Sequence, residues 1–359
     1  MKLLFLGVDG TSYRVMKRLK EREDIAFLSD VGFQDNMLIS LNTGKAEPHT
    51  GPSWSTIYTG VTSDEHGIKS GGWLNQHDGY SNLKVKTIWE MLDEKSIPIG
   101  LFCLPLTHPA PKLKHGWSVS GFPRPREDSK NFHPENLPEY VKKTEPSILS
   151  GEEGGLLKKI FDKEKVLRIE EEKIKNFVRI TEEREIELGA IGVMAIDHSN
   201  HLLPQKKSNL LSGAYDVIRL EPTHLLVNAY TTIIQRLDGN EELEEELFGV
   251  YTKIFKMLDK LVDETEPENI ILCSDHGFFK YGCEKHLPKH DIFGYVGAKG
   301  EITSFMKKRM DITDIGPMIL KLFEIDESIG QKITRKAHSY SKKEEEEIKN
   351  RLKTLGYLE

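Results

Sequence analysis

Four short runs of apolar residues constrain this chain most. Leu3–Val8, Ile97–Leu104, Ile191–Ile196 and Ile270–Cys273 are nearly continuous in hydrophobic character rather than alternating. A strand wetted on one face alternates apolar and polar residues, whereas a strand covered by helices on both faces does not. Between the runs lie helical patterns. Residues 241–263 place Leu243, Leu247, Val250, Ile254, Leu258 and Leu261 at three- and four-residue spacing, an apolar stripe of helical period. Residues 87–95 and 312–323 read as shorter helices. Strands alternating with helices predict an α/β fold with a mostly parallel central sheet and helices on both faces.

A length of 359 residues admits one large α/β domain with insertions, or two domains. The stretch from 123 to about 190 differs in character. It opens proline-rich (PRPRED, FHPENLPEY) and becomes charge-dense and helical (EEEKIKNFVRITEEREIE). The expected division is a core of 1–122 and 188–325, an inserted cap over one end of the sheet at 123–187, and a C-terminal charged helix within 326–359 packed on the core. Residues 200–225 read as a polar loop.

Charged residues make up 30% of the chain and the net charge is −7, which fits a globular protein with a well-solvated surface. It lacks the basic surplus that a polymeric nucleic-acid partner requires. No stretch approaches the roughly 20 apolar residues that span a bilayer, and the first apolar run is too short for a secretory signal. The three cysteines, Cys103, Cys273 and Cys283, show no CxxC spacing. So sparse and odd a set fits a reducing compartment, and a cytoplasmic location is expected.

Three of the four apolar runs lead into an aspartate: Asp9, Asp197 and Asp275. In an open parallel sheet, ligands bind beyond the carboxyl ends of the strands. Three carboxylates delivered there repel one another unless cations neutralise them. Histidines follow two of them, in Asp197-His198-Ser199-Asn200-His201 and Asp275-His276-Gly277. Mixed aspartate and histidine donors suit zinc, manganese or iron, whereas carboxylates alone suit magnesium. Singly, each aspartate reads as a turn former or helix cap, and 13 histidines place some near aspartates by chance. Their joint occurrence at three strand ends points to a metal site.

The segment HTGPSWSTIYTGVTSDEHGI adds a hydroxyl. Pro52 suits the first turn of a helix, so Thr50 is expected just ahead of a helix N-terminus, where backbone amides favour an alkoxide or a phosphate oxygen. A threonine hydroxyl is a poor nucleophile at neutral pH, and coordination to a divalent cation makes its alkoxide accessible. His66, with Gly67, reads as the residue that holds the following turn.

With these blocks the chain resembles the alkaline phosphatase superfamily, in its type I phosphodiesterase/nucleotide pyrophosphatase family, especially prokaryotic and archaeal members. FLGVDGTSY is similar to the opening strand and first ligand, and TGPSWSTIYTGVTSDEHGI to the nucleophile segment. HGWSVSGFPRP, AIDHSNH, CSDHGF and DITDIGPMILKLFEI match further blocks. The resemblance implies an alkaline phosphatase-like three-layer sandwich and two divalent ions, zinc or alternatively manganese. One ion would be held by Asp9, Thr50, Asp275 and His276. The other would be held by Asp197, His201 and a later histidine. His286, followed by Leu-Pro, fits the family's His-x-Pro pattern best, and His290 is the rival.

The implied activity is hydrolysis of a phosphodiester or pyrophosphate bond in a small phosphorylated substrate, a nucleotide among the candidates, through a phospho-threonine intermediate. One departure bears on the substrate. Where nucleotide pyrophosphatases carry an asparagine shortly after HGI, this chain has Lys69-Ser70-Gly71-Gly72-Trp73, with Asn75 nearest. Arg124 and Arg126 could supply that contact to a phosphate oxygen. The alternatives are a phosphomonoesterase, phosphomutase or phosphotransferase of the same superfamily, or a non-catalytic binding protein retaining the fold. A sulfatase is disfavoured because it needs a cysteine or serine at Thr50 and an arginine at Trp54.

Overall fold

The architecture follows from strands buried on both sides. The computed structural model describes residues 1–40, 49–69, 80–121, 129–137, 141, 163–202, 206–207, 245–278, 281–282 and 290–326. Nine strands form one sheet: β1 (Leu3–Val8), β2 (Gln34–Ile39), β3 (Ile99–Phe102), β4 (Gly116–Val119), β5 (Phe132–His133), β6 (Leu188–Val193), β7 (Asn269–Cys273), β8 (Phe293–Lys299) and β9 (Met310–Asp311). Their order is β9-β2-β8-β7-β1-β6-β3-β4-β5. The run β7-β1-β6-β3-β4 is parallel throughout, β8 is antiparallel to both of its neighbours, and β5 is an antiparallel edge.

Period-two alternation splits the interior into two layers. Leu4, Leu6 and Val8 of β1 join Ile191, Val193, Ile270 and Leu272 on one face, while Leu3 and Phe5 join Leu188, Ala190, Ile271 and Cys273 on the other. The first face is covered by helices α1 (Tyr13–Arg22), α4 (Lys163–Glu183), α5 (Ala195–Leu202) and α6 (Glu245–Thr265). The second is covered by α2 (Thr50–Thr59), α3 (Ile88–Glu94) and α7 (Ile312–Leu322). The stripe expected over 241–263 is realised in α6, where Leu247, Val250, Ile254, Leu258 and Leu261 are buried.

Two expectations differ in their boundaries. The strand expected at 191–196 begins and ends earlier, because pairing to β1 sets Leu3 opposite Leu188 and Val8 opposite Val193. Asp197 therefore stands in the first turn of α5 rather than at a strand end. The charge-dense stretch expected within the cap contains α4, which packs directly on the sheet. Its Val166, Leu167, Ile174 and Phe177 enter the first-face core, so the helix is amphipathic despite its charge. β5, from the same stretch, completes the sheet edge. The helix expected within 341–357 and most of the loop expected at 200–225 lie outside the described residues.

His66 fastens α2. It is fully buried, and its Nδ1 accepts the Ile68 amide at 3.1 Å. The neutral ring is left with Nε2–H, which donates toward Thr56 Oγ1 at 3.1 Å and the Pro52 carbonyl. Gly67 ends the turn at φ +87°, where a Cβ would also press on Lys84 at 2.9 Å. Burial pushes the His66 pKa down from 6.5 to about 3. The unfolded chain thus takes up this proton first, so the stability tied to the neutral ring is complete above about pH 6.5 and is lost as pH falls toward 3. The loss approaches about 1.4 kcal/mol per pH unit. In His66→Gln that contribution is absent, so the wild-type advantage in urea-measured unfolding free energy shrinks between pH 7 and pH 4. An advantage that stays constant with pH would contradict this assignment.

Candidate active site

The carboxyl ends of β1, β6 and β7 are neighbours, because β1 lies between the other two. Asp9 follows β1 directly, and its amide donates to the Val193 carbonyl at 2.9 Å, continuing the ladder. Asp275 follows β7 by two residues and accepts the Gly10 amide at 3.3 Å through Oδ1. Between them, the Ser274 hydroxyl accepts the Thr11 amide at 2.8 Å and donates to the His276 carbonyl at 2.6 Å. One hydroxyl thereby fixes two loops that are distant in sequence.

His276 lies in the middle. Its Nδ1 is 3.0 Å from the Gly277 carbonyl, which can only accept, so Nδ1 carries the proton. With Nδ1 so engaged, the ring turns Nε2 toward three carboxylates. Nε2 is 3.6 Å from Asp9 Oδ1, 3.3 Å from Asp275 Oδ2 and 4.0 Å from Asp197 Oδ1. All four side chains are nearly inaccessible to solvent. Burial, then the charges of Asp275 and Asp197, hold the Asp9 carboxyl well above the usual carboxylate range, against a lowering by Trp54. Burial and the charge of Asp197 do the same to Asp275, against opposing backbone hydrogen bonds.

Lone pairs converging on one point call for a cation. Asp9 Oδ1 and Asp275 Oδ2 are buried and accept no hydrogen bond among the described residues. Donor atoms of Asp9, Asp275 and His276 lie within 4.8 Å of one another. Two carboxylate oxygens and an imidazole nitrogen, with the other ring nitrogen tied to a carbonyl, make a donor set that fits a divalent metal of the zinc or manganese type.

Helix α2 is bound to this cluster. Trp54 Nε1 donates to Asp9 Oδ2 at 2.8 Å. Gly7 permits that approach, since a Cβ there would stand 2.9 Å from the indole. Gly10, at φ +68°, likewise admits the close pass of Asp197, whose Cα would lie 2.9 Å from a Cβ. Thr50 is the first residue of α2 and is buried, one turn before Trp54 and hence on the same helix face. The structure thus gathers Asp9, Asp197, Asp275 and His276, with Thr50 on a helix tied to Asp9.

Of the other expected residues, His201 stands one turn after Asp197 in α5, and its side chain lies outside the described part. His290 belongs to a two-residue strand whose backbone pairs with Phe278, two positions from His276, and its side chain is also outside that part. Asn75, Arg124, Arg126 and His286 lie outside the described residues. The supporting roles of Trp54 and Ser274 escaped sequence reasoning. The four-residue step from Thr50 to Trp54 was the available signal for the first.

The model of the type I phosphodiesterase/nucleotide pyrophosphatase family matches residues 3–356. The chain belongs to this family. The family takes its name from cleavage of phosphodiester and pyrophosphate bonds. A search of curated proteins finds no match. Among solved structures, the phosphonate monoester hydrolase of Agrobacterium radiobacter is similar at a TM-score of 0.53 with 11% identity, over 90% of this chain and 73% of that one. This likeness supports the alkaline phosphatase-like fold. Weaker likenesses are to a 2-O GAG sulfatase (TM-score 0.49, 14% identity, 95% and 76% covered). Another is to the C-terminal periplasmic domain of EptC from Escherichia coli in complex with Zn (TM-score 0.45, 10% identity, 89% and 82% covered).

Burial and mutual repulsion both disfavour the charged, metal-free cluster, so Asp275→Asn should raise the melting temperature of chelator-treated protein by a few degrees. Zinc at about a hundredfold its Kd should stabilise the wild type by about 2.7 kcal/mol, and this variant by far less. Calorimetry with and without the metal reads both effects. An unchanged zinc response in Asp275→Asn would remove the residue from the site.

Proposed function

We propose that this chain is a divalent-metal-dependent phosphohydrolase that cleaves a phosphodiester or pyrophosphate bond in a small phosphorylated substrate. The observation that carries the reading is the buried convergence of Asp9, Asp197, Asp275 and His276, tied through Trp54 to the helix that begins at Thr50. Family membership supports the bond class. Asp9, Asp275, His276 and Thr50 would hold one ion, and Asp197, His201 and His286 the other, with His290 as the rival to His286. Bound there, such ions supply Lewis acidity, offsetting the carboxylate charge and favouring an ionised hydroxyl at Thr50.

In this reading the Thr50 oxygen attacks phosphorus in line. A Thr50 O–P bond forms as the bond to the leaving oxygen breaks, and water then cleaves the phospho-threonine. Pro52 in the first turn of α2 has no N–H, so the amides of Thr50 and Gly51 are the ones the helix end offers to the phosphoryl oxygens. Trp54 keeps Asp9 Oδ2 occupied and so turns Oδ1 toward His276. Arg124, Arg126 and Asn75 are the side chains we assign to further phosphate contacts. The division into a core of 1–122 and 188–325, a cap at 123–187 and a terminal helix in 326–359 is retained, except that α4 is assigned to the core. The reducing compartment inferred from sparse cysteine is part of the same reading.

Assays of metal-loaded protein on an activated aryl phosphodiester, with the corresponding monoester in parallel, test the reading. Thr50→Ala should lose on the order of 10⁴-fold or more in kcat, while Thr50→Ser keeps measurable turnover. Full activity in Thr50→Ala would remove the nucleophile. Activity indifferent to chelation would remove the metal-dependent reading, and a strong preference for the monoester would move the substrate class.

A further inference from the structure

Helix α4 carries a charged pair where only apolar contact is expected. Glu170 and Lys173 are fully buried, 1% and 0% exposed, with Lys173 Nζ 2.7 Å from Glu170 Oε2. Isolated buried ion pairs contribute little net stability compared with apolar residues of the same volume. The second carboxylate oxygen has a distinct partner: Oε1 accepts the Met194 amide at 2.9 Å. Met194 is the single residue between the end of β6 and the start of α5, and Asp197 stands three residues later in the first turn of that helix.

We propose that Glu170, its charge offset by Lys173, is a positioning residue that sets the β6–α5 junction so that Asp197 points at His276. Lys173 offsets the charge of the buried carboxylate, whose other oxygen takes the Met194 amide. That amide has no partner in the β6 ladder, whose pairing to β1 stops at Val193. Without an acceptor at this point, the junction must rotate its amide elsewhere, and Asp197 turns with it. Asp197 Oδ1 is 4.0 Å from His276 Nε2, so a shift of an ångström would take it away from the place where it would hold the second ion beside that histidine. Supporting contacts of this kind typically change metal affinity roughly 10–100-fold. This inference rests on the metal-site reading above.

The test is isothermal titration of chelator-treated full-length protein with Zn²⁺ alone and with Mn²⁺ alone, with circular dichroism and melting temperature recorded for each variant. Glu170→Gln/Lys173→Met removes both charges but keeps an acceptor for the Met194 amide, and should bind metal within about threefold of wild type. Glu170→Leu/Lys173→Met removes the acceptor and should lose roughly 10–100-fold in affinity at a temperature where it is fully folded. Should that variant fail to fold, Glu170→Asp, which keeps the charge but withdraws the acceptor by one methylene, should show the same direction of loss. Wild-type affinity in a folded acceptor-less or shortened variant overturns the positioning role. An equal loss in the acceptor-retaining variant overturns it as well, because charge alone would then be responsible. Absence of binding by the wild type would instead defeat the metal-site reading, so the two failures are distinguishable.

Discussion

Three carboxylates buried around one imidazole nitrogen set the terms for the rest of this structure. Like charges at this spacing and burial are unfavourable in any folded chain that lacks a compensating cation. The scaffold nonetheless holds them, because Asp9 and Asp275 are anchored by hydrogen bonds from outside the carboxylate set. Asp9 is held by Trp54 and by the ladder to Val193, Asp275 by Gly10, and the loop after it by Ser274. The two-sided burial of β1, β6 and β7 supplies the stability that this arrangement draws on.

The surrounding elements divide the labour between chemistry and support. Helix α2 brings Thr50 and, one turn later, the indole that touches Asp9, while His66 fastens the same helix from outside the cluster. On the opposite face, α6 places Tyr251 so that its hydroxyl accepts the Ser12 amide beside the loop of Asp9. Helix α4 reaches the junction ahead of Asp197. Both helical layers therefore converge on the same end of the sheet, which is where a parallel sheet exposes its strand termini to a ligand.

Much of this was legible in the residues. Continuous apolar runs announced the buried strands at 3–8 and 270–273 because burial on both faces leaves no room for alternation. Asp9 and Asp275 could be read as site candidates since each stands within two residues of the end of such a run. Asp197 was found for a partly mistaken reason. Its apolar run spans a strand end and a helix start, and hydrophobicity alone does not mark where one becomes the other. The charge-dense α4 looked like part of an inserted cap because its glutamates and lysines outnumber its apolar residues. The apolar residues fall at helical spacing, and only packing showed that this face, with Glu170 and Lys173 in it, is buried.

The sequence by itself determined the menu: which segments become strands, where a hydroxyl meets a helix start, and which carboxylates and imidazoles stand at the ends of buried elements. These are local properties, fixed by side-chain period and by turn and cap chemistry over a few residues. The tertiary structure alone decided that strand order sets β1 between β6 and β7, so that Gly10 meets Asp275 across 265 positions of chain. It also decided that Trp54 reaches Asp9 through the gap left by Gly7, and that Glu170 meets the Met194 amide. Such contacts depend on which surfaces are buried against each other once the whole sheet has closed, and no short window of residues carries that information.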